Sequence, residues 1–491
     1  MPLRDEPLYE LIKRSLVDGE LPGSFSLPHD GGEGRITFAD GAQDGIAAYH
    51  MAGAAVTEES MKLLAELMCD VSNGDFCAGR EKLMKFAADN TALNAIDDFQ
   101  QYIIEHAGEL DEDRLYVFAM DCLKSPLTDL VKYGMEILEV FTQPGEEQKE
   151  IIRTLGLCDE FTLFAIFHML SWENANDEIF ALAQKVHGWG RIHAVEKLQP
   201  ASGEIREWLL MEGIHNRIVP DYSALAVYEK AEVKKLLSGE LTGEALDAIA
   251  NIIQALLSEA PVVGIHAVED ADRMLLEFVK QAECHHAAPT LAVCGAVYDL
   301  AKAKRTPELT AVAQEFLRCR EVGDAVRKWI LEGKGIRLAK FVGIDYSEPL
   351  LRCMEMDFDH HYYQCGELMG DESYRREVLA LFRRKLPMGR MPSEPEDNLG
   401  LGEKYADYSK LGCLVQNLVD YPMCGEDFIV LALQSPVVSN RNAALRALNA
   451  WCKEKGCSLD CLSAELAQEV RVLKGRECSE SVLNNMVKYG F

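Results

Sequence analysis

The sequence predicts an all-α protein built from antiparallel helical hairpins that stack on one another as repeats. Three observations predict this fold. Almost every segment after residue 56 has apolar residues at helical spacing, the breaks between these segments are short, and one phrase of the sequence occurs at two distant positions. In such an array each hairpin buries its apolar face on the next hairpin.

The chain of 491 residues is too long for one ordinary core, which favours several domains or a repeat array. Its 50 Lys and Arg residues against 80 Asp and Glu residues give a net charge of −30. A surface this acidic repels nucleic acid and anionic lipid, and the sequence has no clustered basic patch that overrides the charge. We therefore expect neither a nucleic-acid partner nor a membrane partner.

Compartment and cofactors follow from what the sequence lacks. The first residues have no apolar core of a secretion signal, and no window reaches the roughly 18 apolar residues of a membrane helix. The 15 cysteines contain no Cys-x-x-Cys pair, which is typical of a reducing compartment. We predict a soluble cytoplasmic protein without a cofactor.

Composition divides the chain into four parts. Residues 1–55 are rich in Gly, Pro and Asp and predict an irregular N-terminal arm, in which the sequence near residue 36 could form a short extended piece. Residues 56–384 form a first block of helical repeats. Residues 385–403 contain three prolines and three glycines and predict a linker or a long surface loop. Residues 404–491 form a C-terminal block of helical repeats with its cap.

Individual helices are indicated by caps and by apolar stripes. Residues 57–68 place apolar side chains at three-residue steps behind Thr57, which we predict as the N-cap. Residues 243–260 carry an apolar stripe wide enough to be covered on two sides. Ser463 begins a third helix. Short breaks between such helices make successive helices antiparallel neighbours.

The repeated phrase reads "LKSPLTDLVKYGMEILEVF" at Leu123–Phe141 and "LQSPVVSNRNAALRALNAW" at Leu433–Trp451. In both copies Ser-Pro ends one helix, because proline disfavours the α region at the preceding residue. A second helix then restarts, and in the later copy we predict Asn440 as its N-cap. The small residues Gly134 and Ala444 occupy equivalent positions, where absence of bulk lets two helices approach closely.

The later copy, residues 435–448, resembles the HEAT-repeat pattern of an Asp-Pro pair, a Val-Arg pair, alanines and a leucine. The matching residues are Pro436, Arg441, Ala443, Ala444, Ala447 and Leu448. A third partial copy keeps part of the spacing with Arg191, Ala194 and Leu198. The resemblance implies a HEAT/armadillo-type α-solenoid, a right-handed superhelix of helical hairpins. Two departures are Ser435 in place of the usual Asp and Val131 where the arginine belongs.

Two segments carry candidate functional residues. In "MDFDHHYYQC", Asp357, His361 and Cys365 are spaced four apart, so on one helix they would share a face. A carboxylate, an imidazole and a thiolate at that spacing could hold Zn²⁺ in a metal-assisted hydrolytic centre. The alternative is a polar helical face above a buried cysteine.

The second segment is "KVHGWGRIHAVEKL", in which Trp189 stands between two glycines and is followed by Arg191, His193 and Lys197. A tryptophan beside an arginine at a helix junction has the composition of a partner-binding hot spot. The alternative is that Trp189 fills the seam between two repeats while Arg191 bonds to backbone carbonyl groups.

The function favoured by the sequence is a non-enzymatic, protein- or peptide-binding helical-repeat scaffold of the cytosol. Its acidic charge favours a basic or neutral partner. The alternative function is a hydrolase with its metal between repeats at Asp357, His361 and Cys365. We further expect the arm, residues 1–55, either to pack along the binding groove or to become ordered when a partner binds.

Overall fold

The computed structural model describes residues 6–28, 38–53, 55–141 and 143–491. Within these ranges every regular secondary-structure element is a helix, and β pairing is limited to two isolated bridges. The predicted all-α class is confirmed. The extended piece expected near residue 36 lies outside the described residues. No helix in the described ranges is long and apolar enough to cross a membrane.

The chain divides into two compact units, one up to residue 316 and one from residue 317 onward. The helices up to this boundary are α1 (Leu8–Ser15), α2 (Ala42–His50), α3 (Glu58–Asn73), α4 (Phe76–Asp89), α5 (Ala92–Glu105), α6 (Glu112–Cys122), α7 (Thr128–Glu139), α8 (Glu146–Gly156), α9 (Asp159–Met169), α10 (Ala175–Ala183), α11 (Trp189–Lys197), α12 (Gly203–Glu212), α13 (Asp221–Lys230), α14 (Val233–Leu236), α15 (Gly243–Ser258), α16 (Ala271–Cys284), α17 (Leu291–Ala303) and α18 (Pro307–Leu317). The second unit contains α19 (Arg320–Trp329), α20 (Ile336–Val342), α21 (Ser347–Met356), α22 (Phe358–His361), α23 (Glu372–Lys385), α24 (Ala406–Asn417), α25 (Glu426–Leu433), α26 (Val438–Lys455), α27 (Leu459–Leu462), α28 (Ala464–Lys474) and α29 (Glu480–Tyr489). Short 3₁₀ helices occupy Ile265–Ala267, Ile330–Glu332, Tyr362–Leu368, Met388–Arg390, Glu403–Tyr405 and Leu418–Asp420.

Alternate helices of the first unit form one continuous stack. The helices α5, α7, α9, α11, α13, α15 and α17 each pack on the next in this order, and we call this stack the helix row. Four members also pack on the helix that directly precedes them in the chain, as α6 with α7, α8 with α9, α10 with α11 and α12 with α13. In each of these pairs, helices that follow one another in the chain are also neighbours in the structure.

In the second unit α26 is the central helix, since α24, α25, α27 and α29 all pack on it. Residues 385–403 belong to this unit and run along its surface. The amide of Ser393 donates to the carbonyl of Gln434 at 2.9 Å, and the amide of Val438 donates to the carbonyl of Asn398 at 2.9 Å. The boundary between the two compact units lies outside this tract, at residue 316.

The N-terminal segment is less irregular than its composition predicts, because α1 and α2 both lie within residues 1–55. The predicted cap Thr57 is confirmed, since its hydroxyl accepts from the amide of Ser60. Ser463, predicted to begin a helix, is the N-cap of α28, and its hydroxyl accepts from the amide of Leu466. The prediction that Asn440 is an N-cap is wrong. The helix begins two residues earlier, and the buried Asn440 side chain donates to the carbonyl of Tyr408 at 2.8 Å.

The two copies of the repeated phrase fold alike at their turns. In the first copy the amide of Leu127 donates to the Ser125 hydroxyl at 3.0 Å, and in the second the amide of Val437 donates to the Ser435 hydroxyl at 3.1 Å. The residue after each proline has extended backbone angles and caps the next helix. This serine turn fixes the residue that precedes each helix, and in neither copy does a side chain accept a hydrogen bond from the first turn of the helix.

The small residue shared by the two copies lies at a close helix contact. A Cβ atom on Gly134 would lie 2.9 Å from the Cβ atom of Cys122 and 3.0 Å from the carbonyl oxygen of Ala119, both on α6. Ala444 at the equivalent position is fully buried. The close approach predicted for this position is therefore present between α6 and α7.

Candidate binding face on the helix row

The N-terminal segment lies against the first unit along much of its described length. The helix α1 packs on α8, with the amide of Leu8 donating to the carbonyl of Ser125 at 3.0 Å. The helix α2 packs on α5, and its side chains also contact α7, α11 and α13. The main-chain amide of Gly41, directly before α2, contacts α9. Five consecutive members of the helix row thus contact one short segment of the same chain.

A buried ion cluster joins the first turn of α2 to the row. The Lys132 ammonium lies 2.5 Å from a carboxylate oxygen of Asp44 on α2 and 2.6 Å from one of Glu160 on α9. The other carboxylate oxygen of Glu160 accepts the amide N–H of Gly41 at 2.6 Å. The cluster therefore binds both the main chain and a side chain of the N-terminal segment.

Burial and charge act in opposite directions on this cluster. Burial works to lower the pKa of Lys132, but the charges of Asp44 and Glu160 overcome it and raise that pKa. Burial raises the pKa of Asp44, while the attraction of Lys132 opposes the shift. Lys132 is therefore cationic. A second carboxylate beside it is favoured, because without it the buried ammonium would have only one counter-charge.

Two glycines let α2 approach the row closely. A Cβ atom on Gly45 would lie 2.2 Å from Cε3 of Trp189. Gly41 has a φ of +75°, and a Cβ atom there would lie 2.4 Å from the carbonyl oxygen of Asp159. Neither position accepts a side chain without displacement of the segment or of the indole.

The last turn of α2 enters an aromatic cluster. The ring centroid of Tyr49 lies 5.1 Å from that of Tyr222, 6.2 Å from that of His193 and 6.3 Å from that of Trp189. The Tyr49 hydroxyl donates to a carboxylate oxygen of Glu196 at 2.8 Å. Burial raises the pKa of Tyr49 and lowers that of His193 to about 4, so both side chains are neutral near pH 7.

The turn that carries Trp189 is organised by one carboxylate. Asp159 accepts the amide N–H of Gly190 at 3.1 Å, and a Cβ atom on Gly188 would lie 2.0 Å from its other oxygen. Burial raises the pKa of Asp159 to about 6. The glycines on both sides of Trp189 are thus explained by the close approach of Asp159.

The residues predicted for partner binding lie beside and beneath α2. Trp189, Arg191 and His193 are buried, whereas Lys197 is half-buried. Arg191 donates to the carbonyls of Val186 at 2.8 Å and Glu212 at 3.3 Å, as the seam interpretation predicts. The rings of Trp189 and His193 contact that of Tyr49 on α2, so in this structure both residues contact the chain's own N-terminal segment.

The three residues predicted for a metal site are separated by a change of helix type. Asp357 caps the short helix α22 and lies 2.9 Å from Nδ1 of His360, while Nδ1 of His361 lies 3.3 Å from the side-chain oxygen of Gln364. Cys365 is buried in the following 3₁₀ helix. The expectation of one continuous helical face is wrong, because α22 ends at His361 and 3₁₀ geometry aligns residues three apart. The described residues contain no group of three or more His, Cys, Asp or Glu that could hold a metal ion.

The ion cluster of Asp44, Lys132 and Glu160 was not predicted from the sequence. One signal is present in the sequence: Lys132 stands between Val131 and Tyr133, in a segment that the structure buries from Leu130 to Leu138. A lysine inside such a run requires a carboxylate partner. The sequence does not indicate which carboxylate, because Asp44 lies 88 residues away.

The helix row continues beyond α13 through α15 and α17, and its half-exposed side chains there include polar ones. Asp247, Asn251 and Gln254 lie one turn apart along α15. The amide of Gln254 donates to a carboxylate oxygen of Asp299 on α17 at 2.8 Å. Carboxylate and amide groups of this kind can bind basic and neutral peptide groups.

Comparison of the chain with protein-family models, with curated proteins and with solved structures gives no match. The geometry of the helix row and of the segment that lies on it therefore provides the basis for a functional proposal.

Proposed function

We propose that the protein is a protein- or peptide-binding scaffold, in which the hairpins form a HEAT/armadillo-type α-solenoid and the helix row is the binding face. The observation that carries this proposal is the position of residues 38–50. They lie on five consecutive helices of the row and contact them through a main-chain amide, a buried carboxylate and an aromatic ring. A bound helical peptide would make contacts of the same kinds.

The composition of the face supports this function. Trp189 and Tyr222 lie with centroids 4.9 Å apart, and large rigid aromatic side chains of this kind contribute most of the affinity at many interfaces. Lys132 and Glu196 lie at opposite ends of the contact with α2 and fix its direction. An ion pair and a hydroxyl–carboxylate bond add orientation and register to apolar contact.

The partner is a basic or neutral protein or peptide. The net charge of −30 repels acidic macromolecules at long range and attracts basic ones. The half-exposed residues of α15 and α17 agree with this choice, since Asp247 and Asp299 accept hydrogen bonds and carry negative charge. This part of the row provides the longer contact surface beyond the short segment α2.

Capture of a partner by the full chain tests the proposal. The variant Asn251→Arg places a long cation on the half-exposed side of α15, and Asn484→Arg makes the same change at an exposed site on α29. In affinity purification from native cytosol we expect a defined protein to co-elute with the wild type and with Asn484→Arg, but not with Asn251→Arg. Equal recovery of that protein with all three chains would contradict a binding face on the helix row.

A further inference from the structure

We infer that α2 is a displaceable internal ligand, and that the partner of the helix row presents a helical segment with the same three features: a carboxylate, two glycines four residues apart and a tyrosine. This inference rests on the proposed function, because it specifies the ligand of the same face. In the numbering of the chain the features are Gly41, Asp44, Gly45 and Tyr49, which define the pattern Gly-x-x-Asp-Gly-x-x-x-Tyr.

The segment has the properties of a ligand held by a few contacts. Only Ala42, Asp44 and Gly45 of α2 are buried, while Gln43 and Ile46 face outward. A helix of nine residues is marginal in isolation, so its order depends on the surface beneath it. Residues 51–53, which follow α2, are exposed. Few contacts and an exposed connection together permit departure of α2 without unfolding of the row.

The surface beneath α2, which we call the seat, favours a carboxylate because of its charge. When α2 leaves, Lys132 keeps Glu160 at 2.6 Å but loses Asp44. The Lys132 ammonium then has one carboxylate partner instead of two, and a carboxylate of the partner protein replaces the missing one. A basic residue at this position would meet the ammonium directly and is excluded. The partner can be basic or neutral as a whole and still place one acidic side chain here.

The shape of the seat selects glycine. The indole of Trp189 occupies the space into which a Cβ atom at residue 45 would project, and the carbonyl of Asp159 occupies that space at residue 41. One turn beyond Gly45, Glu196 accepts a hydrogen bond from the Tyr49 hydroxyl, and Tyr222 contacts the Tyr49 ring. A helix that satisfies all four positions enters in one register only.

A synthetic peptide of residues 38–53 with a fluorescent label, added to the full chain, tests the inference. The variant Gly45→Val displaces α2 because its side chain would overlap Trp189. Gly203→Val is the matched control, since a Cβ atom there meets nothing within 4 Å. We expect the peptide to bind Gly45→Val on the order of a hundredfold more tightly than the wild type or the control, because the tethered segment has an effective concentration near the millimolar range.

A peptide carrying Asp44→Lys should not bind Gly45→Val. The chain variant Asp44→Lys provides a second way to release α2, for use if Gly45→Val loses its helical circular dichroism. Hydrogen exchange of residues 42–50 reports whether release has occurred. The inference is overturned if neither variant releases α2, if a released chain fails to bind the peptide, or if it binds both peptides equally.

These outcomes are separable from those of the proposed function. If the peptide fails to bind while partner capture still depends on Asn251, the helix row remains a binding face and only the ligand pattern is wrong. If the peptide binds but Asn251→Arg does not reduce capture of the partner, the displacement of α2 is supported and the proposed binding face on α15 is contradicted.

Discussion

Arg441, the arginine of the HEAT-like pattern, has a carboxylate partner that the pattern does not predict. Its guanidinium donates to both carboxylate oxygens of Glu477 at 2.7 and 2.8 Å, and to the carbonyl of Ser435 at 2.7 Å. Both charged side chains are fully buried. Since Ser435 stands where the pattern has Asp, Glu477 supplies the negative charge from the segment before α29.

Removal of this carboxylate should destabilise the second unit. In Glu477→Ala the buried guanidinium loses its counter-charge, and we expect a loss of about 3–5 kcal/mol in the free energy of unfolding. Urea unfolding followed by circular dichroism measures the change. Glu480→Ala removes a nearby exposed carboxylate and serves as the control. A loss below about 1 kcal/mol for Glu477→Ala would show that the pair is not a principal support of the unit.

His168 of α9 should make stability depend on pH. Burial lowers its pKa to about 4, and its Nε2 atom lies 3.3 Å from the amide nitrogen of Gln148. In the unfolded chain the imidazole binds a proton near pH 6.5, so the unfolded state takes up more protons between pH 6.5 and 4. Stability is therefore lost as the pH falls through this range, by about 3 kcal/mol from His168 alone.

The variant His168→Gln should flatten this dependence relative to the wild type, while His286→Gln, at an exposed histidine, should not. Unfolding by urea at a series of pH values measures the slope. The same slope in His168→Gln and in the wild type would show that the imidazole is not kept neutral by burial.

Local chemistry explains which residues were predictable. The cap at Thr57 and the helix start at Ser463 were predictable because a helix start is decided within four residues. Lys132 could not be assigned a partner, because Asp44 and Glu160 reach it from α2 and α9 only after the chain has folded. Asn440 was predicted as a cap from its residue type, but the helix begins at Val438, where Ser435 has already fixed the preceding turn by accepting the amide N–H of Val437.

Among the helices, the repeated phrase is the feature that sequence describes best. Its serine turn and its small residue both recur in the structure, although α7 and α26 differ in length. A side chain at Gly134 would push α6 and α7 apart, so Gly134→Val should cost about 1–3 kcal/mol of stability. Gly243→Val, where a Cβ atom meets nothing within 4 Å, is the control in a urea titration. Similar urea midpoints for the two variants would mean that α6 and α7 move apart to accommodate a side chain at little cost in stability.

The helix α2 illustrates an element that the sequence does not predict. It has nine residues, includes glycine and aspartate, and follows a segment rich in glycine. Intrinsic helix propensity is low for such a sequence. The helix exists because Lys132, Trp189 and Tyr222 bind its side chains, and these contacts come from distant parts of the chain. In the described part of the arm, α1 packs on α8 and α2 packs on α5.

For the molecule as a whole, periodicity predicted the all-α class correctly because helical spacing is repeated in nearly every segment. The division into units was not predictable in the same way. Prolines and glycines mark residues 385–403, but main-chain hydrogen bonds attach that tract to the second unit, and the compact units meet in sequence at residue 316. Composition reports local flexibility, whereas a unit boundary depends on contacts between distant residues.

Amide hydrogen exchange of the full chain, with and without the captured partner protein, tests whether the helix row is a binding face occupied by α2. We predict that the partner slows exchange in α15 and α17 and speeds exchange at residues 42–50, since the internal segment leaves as the partner binds. Slowed exchange confined to helices of the second unit, with no change at residues 42–50, would contradict both the binding face and the displacement of α2.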